Sequence, residues 1–300
     1  MAGMTLIIGI LIAVCVAVEP PSEDHLAGVK FMPLVHNPGY YTRATFLHRY
    51  VNNTGDIAKA KSAGSWVTIA ATTNCHSTAL DKAALIVSKM VRHMPSEIFT
   101  HLATSHGVGI FSATEGLTVY PEFSHQRDTP SCNGSCSGSC AHTCTFDGRK
   151  YESLGGLTSS ISAVVDDNVI CDAQDKYHHR QNTLVHEFGH LINHYMPSNY
   201  KSQITTAYSH AQSNNLWNNA QYAMATSGEY WAEGTASFFL ATNRTDTTGG
   251  LNMCGGSHAC SSDLAARQYI AKHDPMLYKV LEYVYTNNNP DIPGTLKPCI

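Results

Sequence analysis

Charge is scarce in this 300-residue chain: Asp, Glu, Lys and Arg together make up 14% of it, against about a quarter in an ordinary soluble domain. The formal net charge is only −4, and no basic block occurs, which argues against nucleic acid as a partner. No internal repeat is present, so a solenoid has no basis in the sequence. Long apolar runs are lacking too. Residues 4–18 are almost wholly apolar, but fifteen residues fall short of the roughly 20 that a membrane-spanning helix needs. Met1 to Gly3 lacks Lys and Arg, so the terminal amine is the only positive charge ahead of that run. The run therefore reads as the apolar part of a signal peptide, residues 1–17, cut after Ala17 with Cys15 at −3. Removal of that segment leaves no stable membrane insertion and a secreted chain beginning at Val18.

What is present suffices for a core: 43% of the residues are apolar, enough for one large domain or two small ones. Without Cys15, nine cysteines remain: Cys75, Cys132, Cys136, Cys140, Cys144, Cys171, Cys254, Cys260 and Cys299. Secretion and this number favour disulfides. The odd count leaves one thiol free or available for an intermolecular bond. Asn52, Asn133 and Asn243 begin N-x-S/T sequons, which suit glycosylation in a secreted chain.

Residues 18–65 form a mixed lead-in, in which the one suggested element is a helix near 45–51. A strand follows at 66–71. A helix is predicted over 78–94, where Leu80, Ala83, Ala84, Val87, Met90, Val91 and Met94 recur at helical spacing before Pro95. A shorter helix at 96–104, a strand at 107–113 and an extended piece at 117–120 come next. Four cysteines then recur every four residues within 131–146, among Gly, Ser and Asn. Gly134 and Gly138 argue against a helix there, and the C-x3-C spacing differs from the C-x2-C of common zinc sites. A disulfide-tied surface insertion is expected. Residues 162–171 read as extended with a bend at Asp166-Asp167-Asn168. Tyr177-His178-His179 reads as a solvated loop. Helices are expected at 200–217, 230–240 and 263–285, the last restarted at Asp274-Pro275, and a C-terminal tail at 291–300. A small sheet packed on helices, an α+β layout, fits this order.

The chain is organised around 183–195, which contains His186-Glu187-Phe188-Gly189-His190. On a helix, residues four apart share a face, so His186 and His190 can aim two imidazoles at one point. Two His and a third ligand leave one position on a zinc ion open for water, and Glu187 can reach that water as general base. Three sources compete for the third ligand. His194 lies on the same helix, but one straight helix does not easily wrap three ligands around a tetrahedral ion. The metzincin spacing needs Gly at 193 and His at 196, where this chain has Asn193 and Met196. A carboxylate from a later helix is the remaining source. Glu229 and Glu233 stand four apart, so both can face the first helix, one binding metal and the other holding a ligating His.

Glu229-Tyr-Trp-Ala-Glu233 resembles the E-x-x-x-D/E element of gluzincins, in which the first acid binds zinc. Together with the H-E-F-G-H helix it is similar to the catalytic domain of anthrax lethal factor, and Leu154-Gly-Gly156, Asp167-Asn168 with Cys171, and Asp274-Pro275 extend the likeness to secreted lethal-factor-like zincins. The likeness runs over about 66–286, and the cysteine run departs from it. It implies a zincin-like catalytic domain at 66–290 with the 131–146 insertion. It implies Zn2+ held by His186, His190 and Glu229, with Glu187 as base and Glu233 orienting a His. Tyr222, seven residues before Glu229, is implied as a catalytic tyrosine donating to an oxyanion. The expected function is a secreted zinc metallopeptidase acting on a peptide or protein substrate. Two alternatives stand beside it: a non-catalytic matrix or binding protein that retains a zincin shell, and a zinc hydrolase of a non-peptide bond.

Overall fold

The computed structural model describes residues 45–145, 148–292 and 294–299. The signal-peptide reading and the lead-in up to residue 44 lie outside the described residues. Among these, one sheet contains β1 (Phe46–Val51), β2 (Ile57–Ala58), β3 (Val67–Thr72), β4 (Gly107–Phe111), β5 (Gly156–Thr158) and β6 (Ile161–Val165), in the order β2-β1-β3-β4-β6-β5. The centre β3-β4-β6 is parallel, while β1, β2 and β5 run antiparallel to their neighbours.

Parallel strands are covered on both faces and so carry continuous apolar runs. Every residue of β4 and of β6 is buried. The period of two then sorts the side chains: Val108, Ile110 and Val164 join the main core, whereas Phe111, Ile161, Ala163 and Val165 join a smaller core with Leu117, Tyr120, Phe123 and Leu154.

The helices are α1 (Ala79–Val91), α2 (Ser96–Leu102), α3 (Asp166–Ile170), α4 (Thr183–Tyr195), α5 (Ser198–Ser213), α6 (Ser227–Phe238), α7 (Asp263–His273) and α8 (Pro275–Thr286). The α1 face predicted from spacing is buried in the main core. Asp274 ends α7 and caps α8, its Oδ1 accepting from the Leu277 amide at 3.2 Å. The structure is thus mixed α+β, with helices packed on a six-stranded sheet.

Three sequence expectations change. The helix expected near 45–51 is instead the strand Phe46–Val51, whose residues pair one for one with Thr72 to Val67. The stretch expected to be extended at 117–120 contains a 3-10 turn, Leu117–Val119. The extended segment expected at 162–171 stops at Val165 and turns directly into α3.

The 131–146 stretch is cross-linked by Cys132–Cys140 and Cys136–Cys144, and further disulfides join Cys171–Cys299 and Cys254–Cys260. Among the described residues Cys75 is the free cysteine. No helix among them is long and apolar enough to cross a membrane.

Two features fix α4. At its start the Asn182 side chain accepts from the Val185 amide at 3.3 Å, and buried Asn168 accepts from the Thr183 amide at 2.8 Å. Both bonds satisfy amides that the helix leaves without partners. In its middle, Gly189 lets α6 approach: a Cβ there would lie 3.3 Å from Thr235 side-chain atoms. The Trp231 indole of α6 donates to the Gly189 carbonyl at 2.9 Å.

Candidate metal centre

The α4–α6 contact brings His186, His190 and Glu229 together. His186 Nε2 and His190 Nε2 are 3.2 Å apart, and Glu229 Oε2 lies 3.3 Å from each. Ligands placed tetrahedrally about zinc at about 2.0–2.1 Å stand roughly 3.3–3.4 Å from one another. The three atoms therefore have the spacing of three corners of a zinc tetrahedron. Glu229 Oε2 is buried and makes no hydrogen bond, despite two ring nitrogens at contact distance. A buried acceptor without a partner is costly, and a cation shared by the three atoms would satisfy it. The donor set fits a metal ion.

Electrostatics favour a positive charge at the same place. Burial alone would lower the proton affinity of His186, but the Glu229 and Glu233 carboxylates outweigh it and hold its pKa well above the usual imidazole value. Burial likewise opposes ionisation of Glu229, yet His190 and His186 hold that carboxyl below its ordinary range. Glu233 is buried at 1% exposure, and its Oε1 lies 3.4 Å from His186 Nδ1. That is contact distance, although the alignment does not make a hydrogen bond, since His186 Nδ1 has no such partner.

Tyr222 stands in a short 3-10 turn, Tyr222–Met224, ahead of α6. Its hydroxyl donates to Glu229 Oε1 at 2.7 Å, and its ring lies stacked 6.4 Å from that of His186. Desolvation, then the neighbouring Glu229 carboxylate, push its pKa far up, so the phenol keeps its proton. Glu187 is held from the sheet. Thr158 Oγ1 lies 2.7 Å from Glu187 Oε2, and Ser162 Oγ lies 2.8 Å from the Glu187 carbonyl.

His194 is outside this cluster: its Nδ1 meets the Ser159 carbonyl at 3.2 Å. His178 and His179 are exposed. The structure thus gathers the two histidines, Glu229, Glu233 and Tyr222, with Glu187 in the same helix. Sequence reasoning passed over Thr158 and Ser162. Their one signal was that they belong to a run of four hydroxyl residues, Thr158, Ser159, Ser160 and Ser162, which no spacing rule ties to Glu187, 29 and 25 positions away from Thr158 and Ser162.

No protein-family model and no curated protein sequence matches the chain. A solved structure similar to it is the PRO-PRO endopeptidase (PPEP-2) from Paenibacillus alvei. The likeness has 17% sequence identity and a TM-score of 0.44, and covers 72% of this chain and 97% of the other. A likeness of that degree carries no residue role across, so the reading of the site rests on its own geometry.

Proposed function

We propose that this chain is a secreted zinc-dependent peptidase that hydrolyses peptide bonds of a peptide or protein substrate. The observation that carries the reading is the 3.2–3.3 Å triangle of His186 Nε2, His190 Nε2 and Glu229 Oε2 with a general-base candidate, Glu187, next to the first His. A zinc ion held by these three would supply Lewis-acid activation of a water and of the scissile carbonyl. Glu187 accepts the proton of the attacking water and passes it to the leaving amine. Tyr222 releases Glu229 and donates its retained proton as a hydrogen bond to the oxygen on which negative charge develops. Glu233, against His186 Nδ1, keeps that ring turned toward the metal position.

Secretion accords with four disulfides within the chain, which persist in oxidising compartments, and with the apolar run at 4–18 as a signal peptide. Residues 66–290 are proposed as the catalytic unit, with 131–146 as its insertion and 291–300 as a tail. Of the sequons, Asn133 and Asn243 are exposed, whereas the Asn52 amide is already bonded to Asp56 and Thr54. Glycosylation is proposed at the first two.

The test is metal analysis of the purified protein together with hydrolysis of a broad peptide library, with and without a chelator. One zinc per chain and chelator-sensitive cleavage are expected. A protein that holds zinc and cleaves nothing would instead favour a non-catalytic zincin shell.

A further inference from the structure

The hydroxyl of Thr158 touches both ends of Glu187. Its Oγ1 lies 2.7 Å from Glu187 Oε2, 2.9 Å from the Glu187 carbonyl oxygen and 2.9 Å from Ser162 Oγ. Ser162 Oγ lies 2.8 Å from the same carbonyl. Thr158 and Ser162 are direct cross-strand partners in the β5–β6 pair, so both side chains leave the sheet on the face against α4.

Two hydroxyls have two protons to share among these contacts. Ser162 is fully buried, and apart from Thr158 its one acceptor is the Glu187 carbonyl, so its proton goes there. The Thr158 proton is then left for the carboxylate, where a charged acceptor makes the stronger bond. Giving it to the carbonyl as well would double a bond already made and leave Oε2 without a donor. Glu187 Oε1 is the carboxylate oxygen without a bond to Thr158. The same strand makes room for it: a Cβ on Gly156 would come within 3.0 Å of Oε1 and 2.9 Å of Cγ.

We infer that Thr158 is a positioning residue for the general base, committing Oε2 of Glu187 to the sheet and leaving Oε1 as the oxygen that takes the proton. Gly156 provides the space in which that rotamer fits. The inference rests on the proposed role of Glu187. Its structural half, the hydroxyl–carboxylate contact, is independent of that role.

Thr158→Val removes the hydroxyl and keeps the branched shape. With Glu187 free to swing, kcat should fall on the order of 10-fold or more, as for loss of a hydrogen bond to a charged group. KM and zinc content should stay close to wild type. Thr158→Ser, which restores the hydroxyl, should recover kcat to within about 3-fold. In a Glu187→Gln background the base is gone, so Thr158→Val should lower the residual rate by less than about 2-fold. An equal loss in both backgrounds, or no recovery with Ser, overturns the assignment. The second readout needs no metal and no turnover. In a denaturation cycle on the metal-free protein, Thr158→Val and Glu187→Ala should be non-additive, and additivity would show that the contact is not made. Wild-type protein that cleaves nothing overturns the peptidase reading instead, and the denaturation cycle separates that failure from this one.

Discussion

At the scale of single residues, Glu229 and Glu233 are one helical turn apart and differ in what faces them. Glu229 Oε2 meets both His186 Nε2 and His190 Nε2, whereas Glu233 Oε1 meets His186 Nδ1. Glu229→Gln should therefore abolish stoichiometric zinc, while Glu233→Gln should weaken it about 10–100-fold; metal analysis of both variants after dialysis against a competing chelator decides this. The opposite ranking would exchange their roles. Glu187→Gln keeps size and removes the proposed base, so zinc and thermal stability should stay while hydrolysis falls on the order of 10²–10⁴. Tyr222→Phe should lower kcat by about 10²–10³ with zinc retained, since the lost group is a donor and not a ligand. The residues of the site were legible in the sequence to different depths. His186, Glu187 and His190 share one helix and declare themselves by spacing, whereas Glu229 needed a second motif, and Thr158 had none. Cys75 gives a prediction of another kind. Burial above all pushes its thiol from 9.0 up to about 11, and each unit cuts the thiolate fraction at a given pH about tenfold. A raised pKa disfavours the reactive anion, so alkylation of Cys75 at pH 8 should run about 100-fold slower in the native protein than after denaturation with the disulfides intact. Equal rates would mean that the thiol is not desolvated.

At the scale of elements, the site depends on how closely α6 lies on α4. Gly189 is the contact point, and Trp231 reads its carbonyl from the other side. In Gly189→Ala the new methyl meets Thr235 Cβ, Cγ2 and Oγ1, all at 3.3 Å. None of these is the end of a flexible chain, so the helices must part by a few tenths of an ångström. We expect a loss of about 1–3 kcal/mol in unfolding free energy, as for overpacking. It should come with weaker zinc binding, because Glu229 and Glu233 move with α6. A variant with wild-type zinc affinity and stability would show that the contact is softer than it looks. Helices of this kind were readable because their apolar spacing is local: α1, α4 and the α7–α8 restart at Asp274-Pro275 all follow from it. The strand β1 was not, because what makes Phe46 to Val51 a strand is pairing with Val67 to Thr72, partners 16 to 26 residues away that no local pattern names. The 3-10 turn at Leu117–Val119 was hidden for a similar reason: Leu117 and Val119 face the small core beneath the sheet, and burial there rewards either conformation.

At the scale of the whole molecule, the cysteine count implies that bridges exist but not which ones, since pairing is set by topology. The bridges divide by what they close. Cys254–Cys260 spans 6 residues and Cys132–Cys140 and Cys136–Cys144 span 8 each, while Cys171–Cys299 spans 128. The short ones stiffen loops that are already local. The long one ties the end of α3, beside the Asn168 that seats the start of α4, to the C-terminal end of the chain. If a bridge acts mainly by restricting the unfolded chain, its effect grows with the logarithm of the loop. The long bridge should then contribute about 5 kcal/mol and a six-residue loop about 2 kcal/mol. Replacing both Cys171 and Cys299 by Ser should accordingly lower the unfolding free energy by more than replacing both Cys254 and Cys260, by a margin of roughly 3 kcal/mol. Urea denaturation of the two double variants, each with the remaining bridges confirmed intact, measures that margin. If the short-loop variant proved the weaker, the 249–261 loop would be acting through native contacts, such as the Cys260 amide on the Asn252 carbonyl at 2.7 Å, rather than through the entropy of the open chain.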